Sequence, residues 1–135
     1  MKFIKYEPEK DFLRVRDMLV ETFQAFEKPV NWTLERWNYA RYFAAPMLGA
    51  YGKTENTTEK SLEAIRSWEN AVGVWENDRS EIVAVVCPDE YVPEHPSYGL
   101  AYFQRRPGHD FLLDEMLEYT GRTYVNNDRT RVYIN

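Results

Sequence analysis

The chain has 135 residues, of which 44% are hydrophobic and 16% aromatic, and 17 basic against 22 acidic residues give a formal net charge of −5. This length indicates a single domain over residues 1–135. A domain of this size can bury a hydrophobic core that is stable without disulfide bonds or bound metal ions. The acidic balance argues against a nucleic-acid partner, because binding to a phosphate backbone requires positive charge.

The small number of cysteines and histidines limits the kinds of catalytic and metal-binding site that the chain can contain. The one cysteine, Cys87, lies in an apolar run and is expected to be a buried structural thiol. With only His95 and His109 elsewhere in the chain, no zinc-type spacing is present, so we expect no metal. The first twelve residues alternate charged and apolar side chains and predict neither a signal peptide nor a membrane span. We therefore expect a cytoplasmic protein with no membrane partner.

The first half of the chain is predicted to form a strand followed by helices. Alternating residues predict a strand over 2–6, and apolar residues at three- and four-residue steps predict a helix from Asp11, as its cap, to Phe26. Asn31 or Thr33 can cap a second helix, which Pro46 is expected to end. An exposed connection over 49–58 and a helix over 60–69 complete this half.

The second half changes to strand periodicity. It predicts a hairpin with strands 72–76 and 81–87 around the turn 77–80, then a strand over 98–104, a helix over 110–124 and a last strand over 129–134. The predicted order is β-α-α-α-β-β-β-α-β. We therefore expect an α/β (α+β) fold with a mixed, mostly antiparallel sheet flanked by helices.

A short basic loop, Gln104 to His109, joins the strand over 98–104 to the following helix. Such a loop is a common place for phosphate groups in α/β proteins. Here Pro107 offers no N–H and only Gly108 is conformationally permissive, whereas arginines and a protonated histidine can supply charge-assisted contacts. The alternative interpretation is a plain strand-to-helix turn with solvated arginines.

A second segment, residues 31–43, is dense in aromatic residues and arginines. Its side chains suit flat or anionic groups, through stacking and bidentate hydrogen bonds. The alternative is that Leu34 and Trp37 are core residues while the arginines pair with acidic neighbours. Such a surface also suits a protein partner.

With these elements in order, the chain resembles the Gcn5-related N-acetyltransferase (GNAT) superfamily, and the resemblance implies an acyl-CoA N-acyltransferase-like fold. The family motif after the fourth strand is Gln or Arg, two free residues, Gly, any residue, then Gly or Ala. Gln104 matches its first position, whereas Pro107 and His109 replace the small residues. The resemblance implies acetyl-CoA as cofactor, held by Tyr102, Phe103, Gln104, Arg105, Arg106, Gly108 and His109.

The resemblance also implies an activity, transfer of acetyl from acetyl-CoA to a small-molecule or peptide amine. The backbone N–H of Tyr102 or Phe103 would donate to the thioester oxygen, and an acidic residue would act as the base. The local candidates for that base are Asp89, Glu90 and Glu94. The wall of the acceptor site would include Trp32, Trp37, Arg41 and Tyr42.

A complete fold of this family continues beyond the strand at which this sequence ends. The resemblance therefore implies a GNAT-like domain that is incomplete at its C-terminal end, as in the supporting N-terminal half of a tandem acetyltransferase. One alternative is a shortened fold whose last strand pairs with a second copy in a homodimer. Another is a non-catalytic ligand-binding or protein-interaction module that keeps only the fold.

Overall fold

The structure, a computed structural model, describes residues 1–28, 30–88 and 100–124 and the backbone of 133–134. Within these ranges the strands are β1 (Lys2–Lys5), β2 (Gly73–Glu76), β3 (Ile82–Pro88), β4 (Leu100–Arg105) and β5 (Tyr133–Ile134). The helices are α1 (Pro8–Thr22), α2 (Leu34–Tyr39), α3 (Ala45–Ala50), α4 (Thr57–Ala71) and α5 (Leu113–Thr123).

The strands form one sheet in the order β1-β2-β3-β4-β5. Neighbours from β1 to β4 are antiparallel, and β4 pairs with β5 in parallel. The hairpin between β2 and β3 turns at the predicted residues, where the Asn77 side chain accepts hydrogen bonds from the backbone of Arg79 and Glu81, each at 3.0 Å. The predicted mixed, mostly antiparallel α/β architecture is therefore confirmed.

Helices cover both faces of the sheet. On one face Trp37 of α2 stacks on Phe12 of α1 at 5.2 Å and meets Trp68 of α4 at 5.1 Å between ring centroids. On the other face Tyr119 of α5 packs edge-on against Trp75 of β2 at 5.9 Å. Because adjacent strand residues point to opposite faces, these contacts define three layers with β3 buried along its whole length. Cys87 at the end of β3 is buried, as predicted.

Helix α1 begins and ends earlier than the predicted range from Asp11 to Phe26. Pro8 occupies its first turn, where a missing N–H costs nothing, and Asp11 accepts a hydrogen bond from the backbone N–H of Glu7 at 2.8 Å. Asp11 therefore satisfies the helix start from inside the helix rather than preceding it. At the other end, Phe23 is exposed and follows the last helical residue.

The prediction that Pro46 ends the second helix is wrong. Helix α2 continues through a π-helical turn, Ala40–Ala44, into α3, and Pro46 lies in the first turn of α3. The altered hydrogen-bond register of the π turn accommodates a residue that cannot donate. Gly49, predicted to lie in an exposed connection, is buried in α3, where a Cβ would lie only 2.5 Å from the Lys60 carbonyl oxygen. That close approach of α3 to α4 explains the glycine.

The other predicted strands and helices are found where the structure describes their residues, with bounds that differ by a few residues. Residues 98–99 and 129–132, parts of the predicted strands over 98–104 and 129–134, lie outside the described residues. Helix α4 is longer than predicted, and a 3₁₀ turn, Asp110–Leu112, precedes α5. Among the described helices, none combines the length and apolar character that a membrane crossing requires.

Candidate functional site

The outer edge of β4, the side away from β3, is the most unusual backbone feature of the sheet. Strand β5 pairs with Leu100 and Ala101. Further along, the side-chain amide of Asn31 takes the place of a neighbouring strand. Its Nδ2 donates to the Arg105 carbonyl at 2.7 Å, and its Oδ1 accepts from the Arg105 N–H at 2.8 Å. Asn31 therefore caps this edge with the same pair of bonds that a strand residue would make.

Gln104 fixes the same region from inside the protein. Its side chain is buried, its Oε1 accepts from the backbone N–H of Trp32 at 2.6 Å, and its Nε2 lies 3.7 Å from Cys87 Sγ. Asn31 Nδ2 also donates to Thr22 Oγ1 at 2.8 Å. The connection between α1 and α2 is thereby tied both to α1 and to the last residues of β4. Gln104, predicted to hold the cofactor, presents no side-chain surface to the loop.

The orientation of the β4 backbone distinguishes the two predicted N–H donors. The Arg105 N–H points to Asn31, whereas the Arg106 N–H bonds to the Val83 carbonyl on β3 at 2.9 Å. Backbone groups of alternate residues in an antiparallel strand point the same way. Phe103 therefore directs its N–H and carbonyl to the outer edge, and Tyr102 directs its own toward β3. The side chain of Phe103 itself is buried.

The basic loop after β4 carries paired arginines. Arg105 Nε lies 2.6 Å from Asp110 Oδ1, and an Arg106 terminal nitrogen lies 2.7 Å from Glu21 Oε2. Arg106 Nε also donates to the Ile82 carbonyl at 2.8 Å. The acidic partners are 70% and 58% exposed, so water screens both pairs from the acidic side, whereas the arginine side chains are only 17% and 22% exposed.

The tip of the loop is open. Gly108 adopts φ +79°, and no heavy atom lies within 4 Å of the position that a Cβ would take. Pro107 contributes no N–H, and its carbonyl lies 3.0 Å from His109 Nδ1, a geometry in which a protonated Nδ1 donates. A ligand can approach this tip closely, although fewer backbone donors meet it than in a glycine-rich loop.

The four residues that were predicted to form the wall of the acceptor site lie in different environments. Trp32 is half-buried and lies 4.9 Å from Tyr102 between ring centroids, with the Arg36 guanidinium 5.1 Å above its ring. Trp37 is fully buried, and its Nε1 donates to the Phe12 carbonyl at 3.1 Å. Trp37 therefore belongs to the core, as the alternative interpretation had it, and presents no surface for a substrate.

Arg41 and Tyr42 lie together beside a different groove. The Arg41 guanidinium sits 5.0 Å over the exposed Tyr42 ring, and its Nε lies 3.6 Å from Glu69 Oε2. The groove has a volume of about 670 Å³ and is lined by Lys5, Tyr6, Glu7, Pro8, Glu9, Lys10, Arg41, Glu69 and Asn70. We refer to it below as the Tyr6 groove.

Tyr6 has the most unusual environment of any polar side chain in the described residues. It is 5% exposed, and its buried hydroxyl has no hydrogen-bond partner in the part of the chain that the structure describes. Burial, followed by the negative charge of Glu69, holds the pKa of this phenol well above its ordinary value. Sequence reasoning had placed Tyr6 only at the end of a strand, because alternation alone does not reveal whether a buried hydroxyl finds a partner.

Asp89, Glu90 and Glu94, the candidate bases, lie outside the described residues. Within the described ranges, no group of three or more histidine, cysteine or acidic side chains is arranged to hold a metal ion.

The fold and these sites define a mixed α/β domain with a capped strand edge beside a basic loop. Comparison with known proteins adds no family, since no family model matches the chain and no curated protein matches it significantly.

Proposed function

We propose that the chain adopts the acyl-CoA N-acyltransferase-like fold of the GNAT superfamily and binds acetyl-CoA along the outer edge of β4. It would act as an N-acetyltransferase or as the supporting N-terminal portion of one. The observation that carries this proposal is the outward direction of the Phe103 backbone, on the same strand edge that ends at the basic loop.

The chemistry of coenzyme A suits this arrangement. Its extended pantetheine arm carries amides, which can pair with a strand edge, and its phosphates require positive charge. The Phe103 N–H would donate to the thioester oxygen, where negative charge develops during transfer. Arg105 and Arg106 would turn from their exposed acidic partners to the phosphates, and Gly108 would leave room for close approach.

The acceptor would be a small-molecule or peptide amine. An amine of the lysine type has a pKa of about 10.4 and must lose a proton before it attacks the thioester. Asp89, Glu90 and Glu94 stay predictions for the base that removes it. Trp32, Arg41 and Tyr42 are the predicted wall residues that retain exposed or half-buried surface.

A non-catalytic module is the second candidate, and a specific observation favours it. The Asn31 side chain is hydrogen-bonded to the backbone of Arg105, which lies between Phe103 and the tip of the basic loop on the same strand edge. A cofactor that reached both places would have to pass or displace this side chain. In this alternative the fold serves contact with a second acetyltransferase domain, a second copy or another ligand.

Calorimetric titration with coenzyme A and acetyl-CoA tests the proposal. We expect saturable binding that weakens at least about tenfold in an Arg105→Gln/Arg106→Gln variant, which corresponds to about 1.4 kcal/mol. Arg66→Gln/Arg122→Gln is the matched control, because it removes the same charge from exposed positions on α4 and α5. Binding that is absent, or equally reduced by both double variants, would remove the cofactor claim.

Three further measurements distinguish the enzyme, the module and the homodimer. If amides of the ligand pair with the edge of β4, Asn31→Ala should strengthen coenzyme A binding, because it opens that edge. If the loop is only a strand-to-helix turn, the substitution should not increase the affinity for coenzyme A. Acetyl transfer to a panel of small amines and lysine peptides should then be detectable by mass spectrometry. Binding without transfer to any acceptor supports the module, and light-scattering mass at high concentration tests the homodimer.

A further inference from the structure

The Tyr6 groove lies where β1 ends and α1 begins, beside the π-helical turn and the end of α4. Its lining differs in burial between centre and rim. Tyr6 is buried, and the side chains of Arg41 and Glu69 are only 21% and 13% exposed. The lysines and the remaining glutamates around them are exposed. The groove therefore has a floor formed by a phenol, a guanidinium and a carboxylate, with a charged rim.

The Tyr6 hydroxyl is the first indication that this floor has a ligand. Buried polar groups nearly always have hydrogen-bond partners, so an unsatisfied one requires an explanation. Most of the Tyr6 ring packs in the core, with Trp37 edge-on at 6.2 Å between centroids. Phenylalanine would fill that space without leaving a polar atom unsatisfied. Packing therefore explains the aromatic ring at this position but not its hydroxyl.

The pair formed by Arg41 and Glu69 is the second indication. Arg41 Nε lies 3.6 Å from the Glu69 carboxylate, which is longer than a charge-assisted hydrogen bond. A guanidinium has five N–H donors, and this one lies 5.0 Å over the ring of Tyr42. Both members of the pair therefore retain hydrogen-bonding capacity toward a third group.

The charge of the lining indicates which third group fits. Three basic residues, Lys5, Lys10 and Arg41, line the groove together with three acidic residues, Glu7, Glu9 and Glu69. A simple anion would meet the glutamates, and a simple cation would meet the lysines and the arginine. A ligand that carries both charges close together satisfies both sets.

We propose that the Tyr6 groove binds the head group of a free α-amino acid. The ligand carboxylate is held by Arg41 and accepts a hydrogen bond from the Tyr6 hydroxyl, and the ligand ammonium is held by Glu69. Binding replaces the long contact between Arg41 and Glu69 with two ion pairs and gives the buried hydroxyl its partner. This inference does not depend on acetyl-CoA binding or acetyl transfer.

The test is a titration of the full chain with L-alanine, followed by chemical shifts of the backbone amides and without coenzyme A. We expect saturable shifts of residues around the groove, with a dissociation constant of about 1 mM or lower. N-acetyl-L-alanine lacks the ammonium and L-alaninamide lacks the carboxylate, so each should bind at least about tenfold more weakly. Equal shifts with all three compounds, or no saturable shift with L-alanine, would overturn the proposal.

Variants locate the binding within the groove. Tyr6→Phe preserves the packed ring and should reduce affinity for L-alanine severalfold, and Arg41→Gln and Glu69→Gln should abolish saturation. Arg66→Gln, an exposed position on α4 outside the groove, is the control and should bind like the unmodified chain. If Tyr6→Phe folds and binds L-alanine with unchanged affinity, the assigned role of the hydroxyl is wrong. Because no coenzyme A is present, this result is independent of the cofactor titration.

Discussion

The end of β4 and the Tyr6 groove both place polar side chains in the protein interior, but the two regions differ in whether those side chains have hydrogen-bond partners. At the end of β4, the amides of Asn31 and Gln104 join backbone groups of Arg105 and Trp32 in short hydrogen bonds. In the groove, the Tyr6 hydroxyl has no partner among the described residues. A satisfied network holds elements in place, whereas an unsatisfied group indicates a place where something else can bind.

The largest effect should come from breaking the satisfied network. Asn31→Ala leaves the N–H and carbonyl of Arg105 without their partner and removes the bond to Thr22. We expect the free energy of unfolding to fall by about 2–4 kcal/mol, because each stranded group costs about 1–3 kcal/mol. Chemical denaturation at neutral pH measures this loss.

Asn31→Asp is the control for that variant. Its carboxylate keeps the acceptor for the Arg105 N–H but cannot donate to the Arg105 carbonyl or to Thr22 Oγ1. An intermediate loss of stability is therefore expected. Equal stability of the original chain and Asn31→Ala would show that the edge of β4 does not need its cap.

The second effect concerns buried phenols at alkaline pH. Burial raises the pKa of Tyr6 and of Tyr119 above the ordinary value of 10.0. The unfolded chain therefore loses these protons first. The stability that the two phenols contribute is complete below pH 10 and is lost as pH rises toward their folded-state pKa values, by up to about 1.4 kcal/mol per pH unit for each tyrosine.

Denaturation curves at several pH values between 9 and 11.5 measure this loss, and absorbance at the tyrosinate band reports ionisation. The decisive quantity is the difference in stability between the original chain and Tyr6→Phe at each pH, because the two chains differ only in this hydroxyl. Stability of the original chain should decline more steeply above pH 10. Parallel curves would indicate that Tyr6 ionises normally in the folded protein.

The third effect has the opposite sign from that of Asn31→Ala. At neutral pH, Tyr6→Phe removes a buried hydroxyl that has no partner in the described part of the chain, so the free energy of unfolding should stay unchanged or rise by about 1 kcal/mol. Thermal and chemical denaturation measure it. A loss of more than about 1 kcal/mol would reveal a hydrogen bond to Tyr6 and would weaken the contrast between the two regions.

The sequence predicted the elements better than it predicted these polar contacts. The turn at Asn77 followed from local residue types. The end of the second helix was predicted wrongly, because the helix continues through the π-helical turn and Pro46 lies in the first turn of α3. A proline is a strong local signal, but it cannot show how neighbouring turns adjust their hydrogen bonds.

The candidate sites were predicted only in part for a related physical reason. Asn31 was expected to be a possible helix cap, yet Thr33 caps α2 and Asn31 bonds to a residue 74 positions away. The position of Trp37 in the core was one of two interpretations, and only packing against Phe12 and Trp68 decided between them. Contacts of this kind depend on tertiary distances that no spacing in the sequence encodes.

The smallest effect is expected where charges are paired at the surface of the basic loop. Arg106→Gln removes an ion pair to the exposed Glu21, although its guanidinium also donates to the Ile82 carbonyl. Exposed pairs contribute about 0–1 kcal/mol, so we expect a loss of stability below about 1 kcal/mol, and one that shrinks as salt is raised. Denaturation at low and high ionic strength measures both quantities. A larger, salt-independent loss would mean that Arg106 is a structural residue of the β3 and β4 ends, and it would then be a poor candidate for exchange onto a phosphate.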